Sequence, residues 1–123
     1  HHLCYPTSLQ RKKFDDENQD VWPWIWTHPN GNGPHYVFLG MNATTIKRIQ
    51  EIRLQSPNHN LLVIAPQEVL EKAAKEAGVS FEVFHNCHCG LVTDAELQLL
   101  HVKSKILMLD DERVIAFDYL TIC

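Results

Sequence analysis

Apolar residues along this chain fall into short blocks separated by turn-forming residues, and their spacing changes from block to block. His35-Tyr36-Val37-Phe38-Leu39 is an apolar, β-favouring run. Gly40-Met41-Asn42 ends it, and Asn42 or Thr44 is placed to cap a helix. Ile46, Ile49 and Ile52 then recur at helical spacing, with Leu54 beside them and Lys47, Arg48 and Glu51 on other faces. Ser56-Pro57-Asn58-His59-Asn60 closes this helix. Leu61-Leu62-Val63-Ile64-Ala65 is continuously apolar, as expected of a strand covered on both faces. Pro66 breaks the run and suits a helix start. Val69, Leu70, Ala73, Ala74 and Ala77 form the next helical pattern, which Gly78 terminates. Ser80 to Phe84 alternates like a third strand.

The order β-α-β-α-β predicts a parallel sheet with crossover helices. Beyond it, Thr93-Asp94-Ala95-Glu96 has the form of a capping box and predicts a short helix through about His101. Ile106 to Leu109 reads as a strand, Asp110 to Arg113 as a turn, and Val114 to Ile122 as one long β-prone run. Upstream, Val21-Trp22-Pro23-Trp24-Ile25-Trp26 and residues 35–39 flank the turn-rich stretch from Thr27 to Pro34 and predict a hairpin. Pro23 assigns its first strand to a sheet edge. The expected architecture is a small three-layer α/β domain. Its β-α-β-α-β parallel core is extended by antiparallel edge strands into a mixed sheet of about five or six strands.

The 123 residues predict one α/β domain over 21–123, preceded by a polar arm over 1–20. His1-His2 reads as the remnant of a tag, and the chain as a piece of a longer protein. Hydrophobic content of 45% and charged content of 21% are ordinary for a globular chain, and no apolar run is long enough to span a membrane. Cys87 and Cys89 are too close to bridge comfortably, and Cys4 and Cys123 lie near opposite ends, so reduced thiols and an intracellular setting are expected. With 11 basic and 15 acidic residues the net charge is −4, which disfavours binding along a nucleic-acid backbone.

The segment Phe84-His85-Asn86-Cys87-His88-Cys89-Gly90 concentrates two thiols and two imidazoles. If a strand ends at Phe84, the segment lies at the strand C-terminal edge, where α/β sheets bind ligands. Gly40-Met41-Asn42-Ala43-Thr44 and Ala65-Pro66-Gln67-Glu68 would meet it there. Four readings follow. His85, Cys87, His88 and Cys89 have the ligand types of a zinc site, although the spacing lacks a second Cys/His pair, and Cys4, His59, His101 or Cys123 would have to complete the shell through tertiary contacts. Cys87 or Cys89 is a candidate nucleophile, with His85 or His88 as base. Gly40, Asn42 and Thr44 would hold an anionic group at a helix start, yet the loop matches neither common phosphate-binding glycine pattern. Against these, cysteine is often simply a small buried residue, and helix capping explains Asn42 and Thr44 without a ligand.

Trp22, Trp24 and Trp26 share one face of an extended segment. They either cover the sheet as core or form an aromatic platform for a protein partner, or, less favourably given the charge, for stacked bases. Asp110, Asp111 and Glu112 read as a solvated turn. The leading expectation is a non-catalytic, protein-binding domain of a larger intracellular protein, which contacts its partner through the arm and the tryptophans. The alternatives are a small enzyme or metal/thiol site at the strand edge, and a single-stranded nucleic-acid binder.

Overall fold

The computed structural model describes residues 34–123. Four strands, β1 (His35–Leu39), β2 (Asn60–Ile64), β3 (Cys89–Val92) and β7 (Tyr119–Ile122), form a parallel sheet in the order β3-β2-β1-β7. Three more, β4 (Leu97–His101), β5 (Ile106–Leu109) and β6 (Val114–Ala116), form a separate antiparallel sheet in the order β4-β5-β6. Helices α1 (Ala43–Gln55) and α2 (Gln67–Ala77) and the single turn α3 (Val83–Asn86) complete the domain.

The period of two along β1 and β2 assigns the layers. Phe38, Leu61 and Val63 face Ile46, Ile49 and Ile52 of α1 and Leu70, Ala73 and Ala74 of α2. Val37, Leu39, Leu62 and Ile64 face Leu107, Leu109, Ile115 and Phe117 of the antiparallel sheet side. The register Val37↔Leu62 and Phe38↔Val63 keeps each set on its own face. The parallel sheet is therefore the middle of three layers, with helices on one face and the antiparallel sheet on the other, and β1 and β2 are buried on both.

The α/β class and three layers are those expected from the sequence, but the antiparallel strands pack over one face of the parallel sheet instead of extending its edges. Residues 80–84 are not a strand. Gly78 (φ +72) ends α2 in the left-handed conformation, the chain turns, and Val83 and Phe84 are buried side by side in α3, a pattern of helix and not of alternation. The third strand begins at Cys89 instead. Thr93–Glu96 does not start a helix. Residues 97–101 pair with β5, and Asp94 spends its carboxylate on Arg113 Nη2 at 2.8 Å. The run from Val114 to Ile122 is two strands in different sheets: β6 pairs with β5, and after buried Phe117 the chain crosses to lie beside β1. Trp22, Trp24 and Trp26 lie outside the described residues. Both edges of β1 are filled, by β2 and β7, and the first strand of the expected hairpin lies outside the described residues. No helix among the described residues is long and apolar enough to cross a membrane.

Leu107, fully buried between the sheets, and Leu54, 86% exposed on α1, provide a contrast. Leu107→Ala is expected to lower unfolding free energy by about 3 kcal/mol, and Leu54→Ala to change it by less than about 0.5 kcal/mol, both read from urea denaturation midpoints.

Candidate functional site

All four strands of the parallel sheet run the same way, so the sheet has two unlike edges. At the C-terminal edge stand Gly40, Ala65, Thr93 and Cys123, joined by Gly40 N–H to Ile64 O (2.9 Å), Ala65 N–H to Val92 O (3.0 Å) and Cys123 N–H to Leu39 O (2.9 Å). At the N-terminal edge Asn60 N–H donates to Pro34 O (2.8 Å) and Asp118 N–H to His35 O (2.9 Å). His35 N–H also donates to Asp118 Oδ2 at 2.8 Å.

Because β3 starts at Cys89, the His–Cys segment enters a strand and does not leave one. It lies at the N-terminal edge, across the sheet from the Gly40–Thr44 and Ala65–Glu68 loops. The three loops expected to converge do not: two share an edge and the third occupies the opposite one.

Within the segment the imidazoles and thiols part. His85 and His88 are exposed, while Cys87 is buried in the helix-side core and Cys89 is packed against the same cluster. His88 takes a left-handed conformation (φ 53) in the turn that carries the chain from α3 into β3. Arg53, at the end of α1, donates from Nε to Cys87 O at 2.8 Å and from Nη1 to Pro57 O at 2.8 Å, tying that turn to the helix. Among the described residues no three His, Cys, Asp or Glu side chains converge as a metal site would require.

Burial pushes the Cys87 thiol up, against the pull of the Arg53 guanidinium. Cys89 is pushed up from 9.0 to about 12, first by burial and then by the charge of Cys87, again opposed by Arg53. A nucleophilic cysteine needs the reverse shift. These thiols are protonated core groups near neutral pH, and an exposed imidazole beside them in sequence does not alter that.

The C-terminal edge is built differently. Gly40 takes φ +86 in the tight turn after β1, a conformation that favours glycine. Asn42 is the N-cap of α1, and its Oδ1 accepts from Thr45 N–H at 2.8 Å. Thr44 is exposed on the first turn. Two residues beyond the expected set of Gly40, Asn42 and Thr44 take part in this turn. Thr45 is buried with its hydroxyl 3.3 Å from the Cys123 thiol, and Cys123 itself comes from the far end of the chain. Thr45 stands five residues after Gly40, where glycine-rich loops of this kind have the glycine that lets helix and strand pack closely, whereas nothing local marks Cys123. Gln67 and Glu68 begin α2, and Gln67 Nε2 donates to Glu71 Oε1 at 3.2 Å.

Strand order 3-2-1-7 reverses direction between β1 and β7. This is the winding of α/β domains that bind dinucleotides across such a switch point, and the first strand–helix loop lies at that point. No protein-family model matches the chain, and no curated protein matches it. Among solved structures the chain is similar to the crystal structure of reduced Bacillus anthracis CoADR-RHD, with a TM-score of 0.56 and 14% sequence identity. The match covers 99% of this chain and 22% of that one, so the chain spans about a fifth of that protein's length. At this identity the likeness is one of fold.

The raised thiols have a consequence for stability. Burial disfavours the thiolate, so as pH rises past about 9 the unfolded chain ionises Cys89 first, and the folded chain follows only near about 12. The stabilisation is fully present below that window and is lost as pH rises through it. Urea midpoints of the wild type are expected to fall between about pH 9 and pH 11, and those of Cys89→Ala to fall less steeply. Alkylation at neutral pH should modify exposed Cys123 well before Cys87 or Cys89.

Proposed function

We propose that this chain is a non-catalytic module that binds a protein partner within a larger intracellular protein. The observation that carries the reading is the outer edge of β7. This strand is last in the parallel sheet, and its outer side has no ladder partner among the described residues. It presents Tyr119 (55% exposed) and Ile122 (68% exposed). Tyr119 stacks on Tyr36 with ring centroids 4.7 Å apart, and Tyr36 on His59 at 5.2 Å, so the exposed ring is the outer member of a three-ring stack. An open strand edge with a stacked aromatic beside it fits an extended partner segment that adds as a further strand: main-chain hydrogen bonds supply affinity, and alternate side chains supply selectivity. The arm over 1–20 and Trp22, Trp24 and Trp26 belong to the same proposal as further contacts, and they lie outside the described residues. Among the described residues Cys87, Cys89 and Cys123 are free thiols, which supports a reducing, intracellular setting.

The thiol-enzyme and zinc readings draw no support from the separated imidazoles and buried thiols described above. Nucleic-acid binding is disfavoured by the net charge of −4 and by the sparse basic surface on α1, where Arg48 lies 3.9 Å from Glu51.

The test is site-specific photo-crosslinking from Ile122 (68% exposed), with the more exposed Leu54 (86%) on α1 as the control. A discrete adduct is expected from position 122 and not from 54. It should be weakened by Trp24→Ala and kept by Cys87→Ser. Indistinguishable adducts from both positions would remove the β7 surface from the proposal. Loss on Cys87→Ser with retention on Trp24→Ala would return the thiols to consideration.

A further inference from the structure

Other α/β domains whose sheets are wound in this order hold dinucleotides at the switch point, so the residues there can be compared with what such a ligand needs. In dinucleotide-binding domains the first strand–helix loop carries three glycines. The first permits the tight turn, the second lets the backbone approach the pyrophosphate, and the third lets helix and strand pack closely. An acidic residue about 20 positions on, at the end of the second strand, binds the ribose. The pyrophosphate then takes the free N–H groups of the helix start.

Here the first requirement is met by Gly40, at φ +86. The second position is Asn42. Its side chain occupies the helix start and accepts from Thr45 N–H at 2.8 Å, so one of the donors a pyrophosphate would use already has an acceptor from the chain itself. The third position is Thr45, buried at 8% exposure, with Oγ1 3.3 Å from Cys123 Sγ. Cys123 also closes on the turn: a side chain built on Gly40 would meet Cys123 Cβ and O at 3.4 Å. At the end of β2, where the ribose carboxylate would stand, is Ala65, buried at 2% exposure. The residues present do not fit the group.

We infer that this chain takes no dinucleotide at the β1–β7 switch point, and that the cradle has been turned into an internal clamp. Asn42 caps α1, and Thr45 and Cys123 join the helix start to the end of β7. The inference goes beyond the partner-binding proposal and does not depend on it, since it rests on Asn42, Thr45, Ala65 and Cys123 and not on the outer edge of β7.

Calorimetric titration of the unmodified chain with NAD+, NADP+ and FAD tests it. No saturable heat up to about 1 mM ligand is expected. One-to-one binding with Kd below about 100 µM that is lost in Thr45→Trp would overturn the inference, whatever the fate of the β7 proposal. A second arm restores the fingerprint with Asn42→Gly, Thr45→Gly and Ala65→Glu together, and with Asn42→Gly alone as the milder variant, folding being checked by circular dichroism. A folded restored variant should bind at least about tenfold more tightly than the wild type. If folded variants bind no better, these side chains are not the block and the inference fails. If the restored variants do not fold, the wild-type titration still decides.

Discussion

Strands β1 and β2 are buried on both faces, and most other placements in the domain follow from that. A strand covered on both sides has no solvent face, so its odd and even residues must each meet an apolar layer. The helices cover Phe38, Leu61 and Val63, and the antiparallel sheet covers Val37, Leu39, Leu62 and Ile64. A one-residue slip of β1 against β2 would exchange the two sets and mismatch both layers at once. The register is thus held by two cores, and β1, with a neighbour on either side, is the strand from which the sheet is organised.

The same constraint decides where chemistry is possible. Parallel strands send every crossover helix back from the C-terminal edge to the N-terminal edge, so helix starts collect at one edge and returning turns at the other. Loops at the first edge offer free N–H groups and exposed side chains. Turns at the second seal the ends of the helices against the sheet. The His–Cys segment belongs to the second kind. Phe84, Cys87 and Cys89 close the helix-side core there, Phe81 packs edge-on to Phe84 with centroids 5.4 Å apart, and Arg53 ties down the turn through the Cys87 carbonyl. Thiols placed to exclude water acquire raised pKa values as a consequence of that role.

Much of the fold was legible in the chain, for physical reasons that also explain what was not. Residues 61–65 read as a strand covered on both faces because such burial leaves no polar positions, residues 35–39 read as a β-favouring run, and Ile46, Ile49 and Ile52 marked the inner stripe of α1 because one helix face meets the sheet. The third strand was obscured. Cys89-Gly90-Leu91-Val92 contains a glycine and little β preference, and it is a strand because Leu61 to Ile64 offer it a ladder, which is a tertiary fact. The alternation of residues 80–84 was a coincidence of a turn carrying two phenylalanines. Likewise Leu97 to His101 has no decisive local preference, and pairing with β5 overrides the capping-box pattern before it. Of the candidate site residues, Gly40, Asn42 and Thr44 were placed correctly at a strand–helix turn. The His–Cys segment was assigned to the wrong edge, because a strand boundary displaced past Phe84 reverses the end of the sheet at which the loop emerges.

That reversal separates fold from site. A domain can keep the winding that places a loop at a switch point while its side chains abandon the ligand such loops hold. The winding depends on apolar burial spread over many residues, so it tolerates substitution at any one of them. The ligand depends on a few positions where glycine leaves room or a carboxylate supplies an acceptor. At those positions this chain has an amide that caps its own helix, a hydroxyl that meets a thiol and a buried methyl. Each satisfies a local need of the folded chain: a helix donor paired, a polar group in contact with another, a cavity filled. Asn42 thus pairs one donor of the α1 start from within, while the start of α2 at the same edge has no side-chain cap. Of the two edge strands of the parallel sheet, β3 and β7, it is β7 that exposes large apolar side chains, Tyr119 and Ile122, and among the described residues its outer side has no ladder partner.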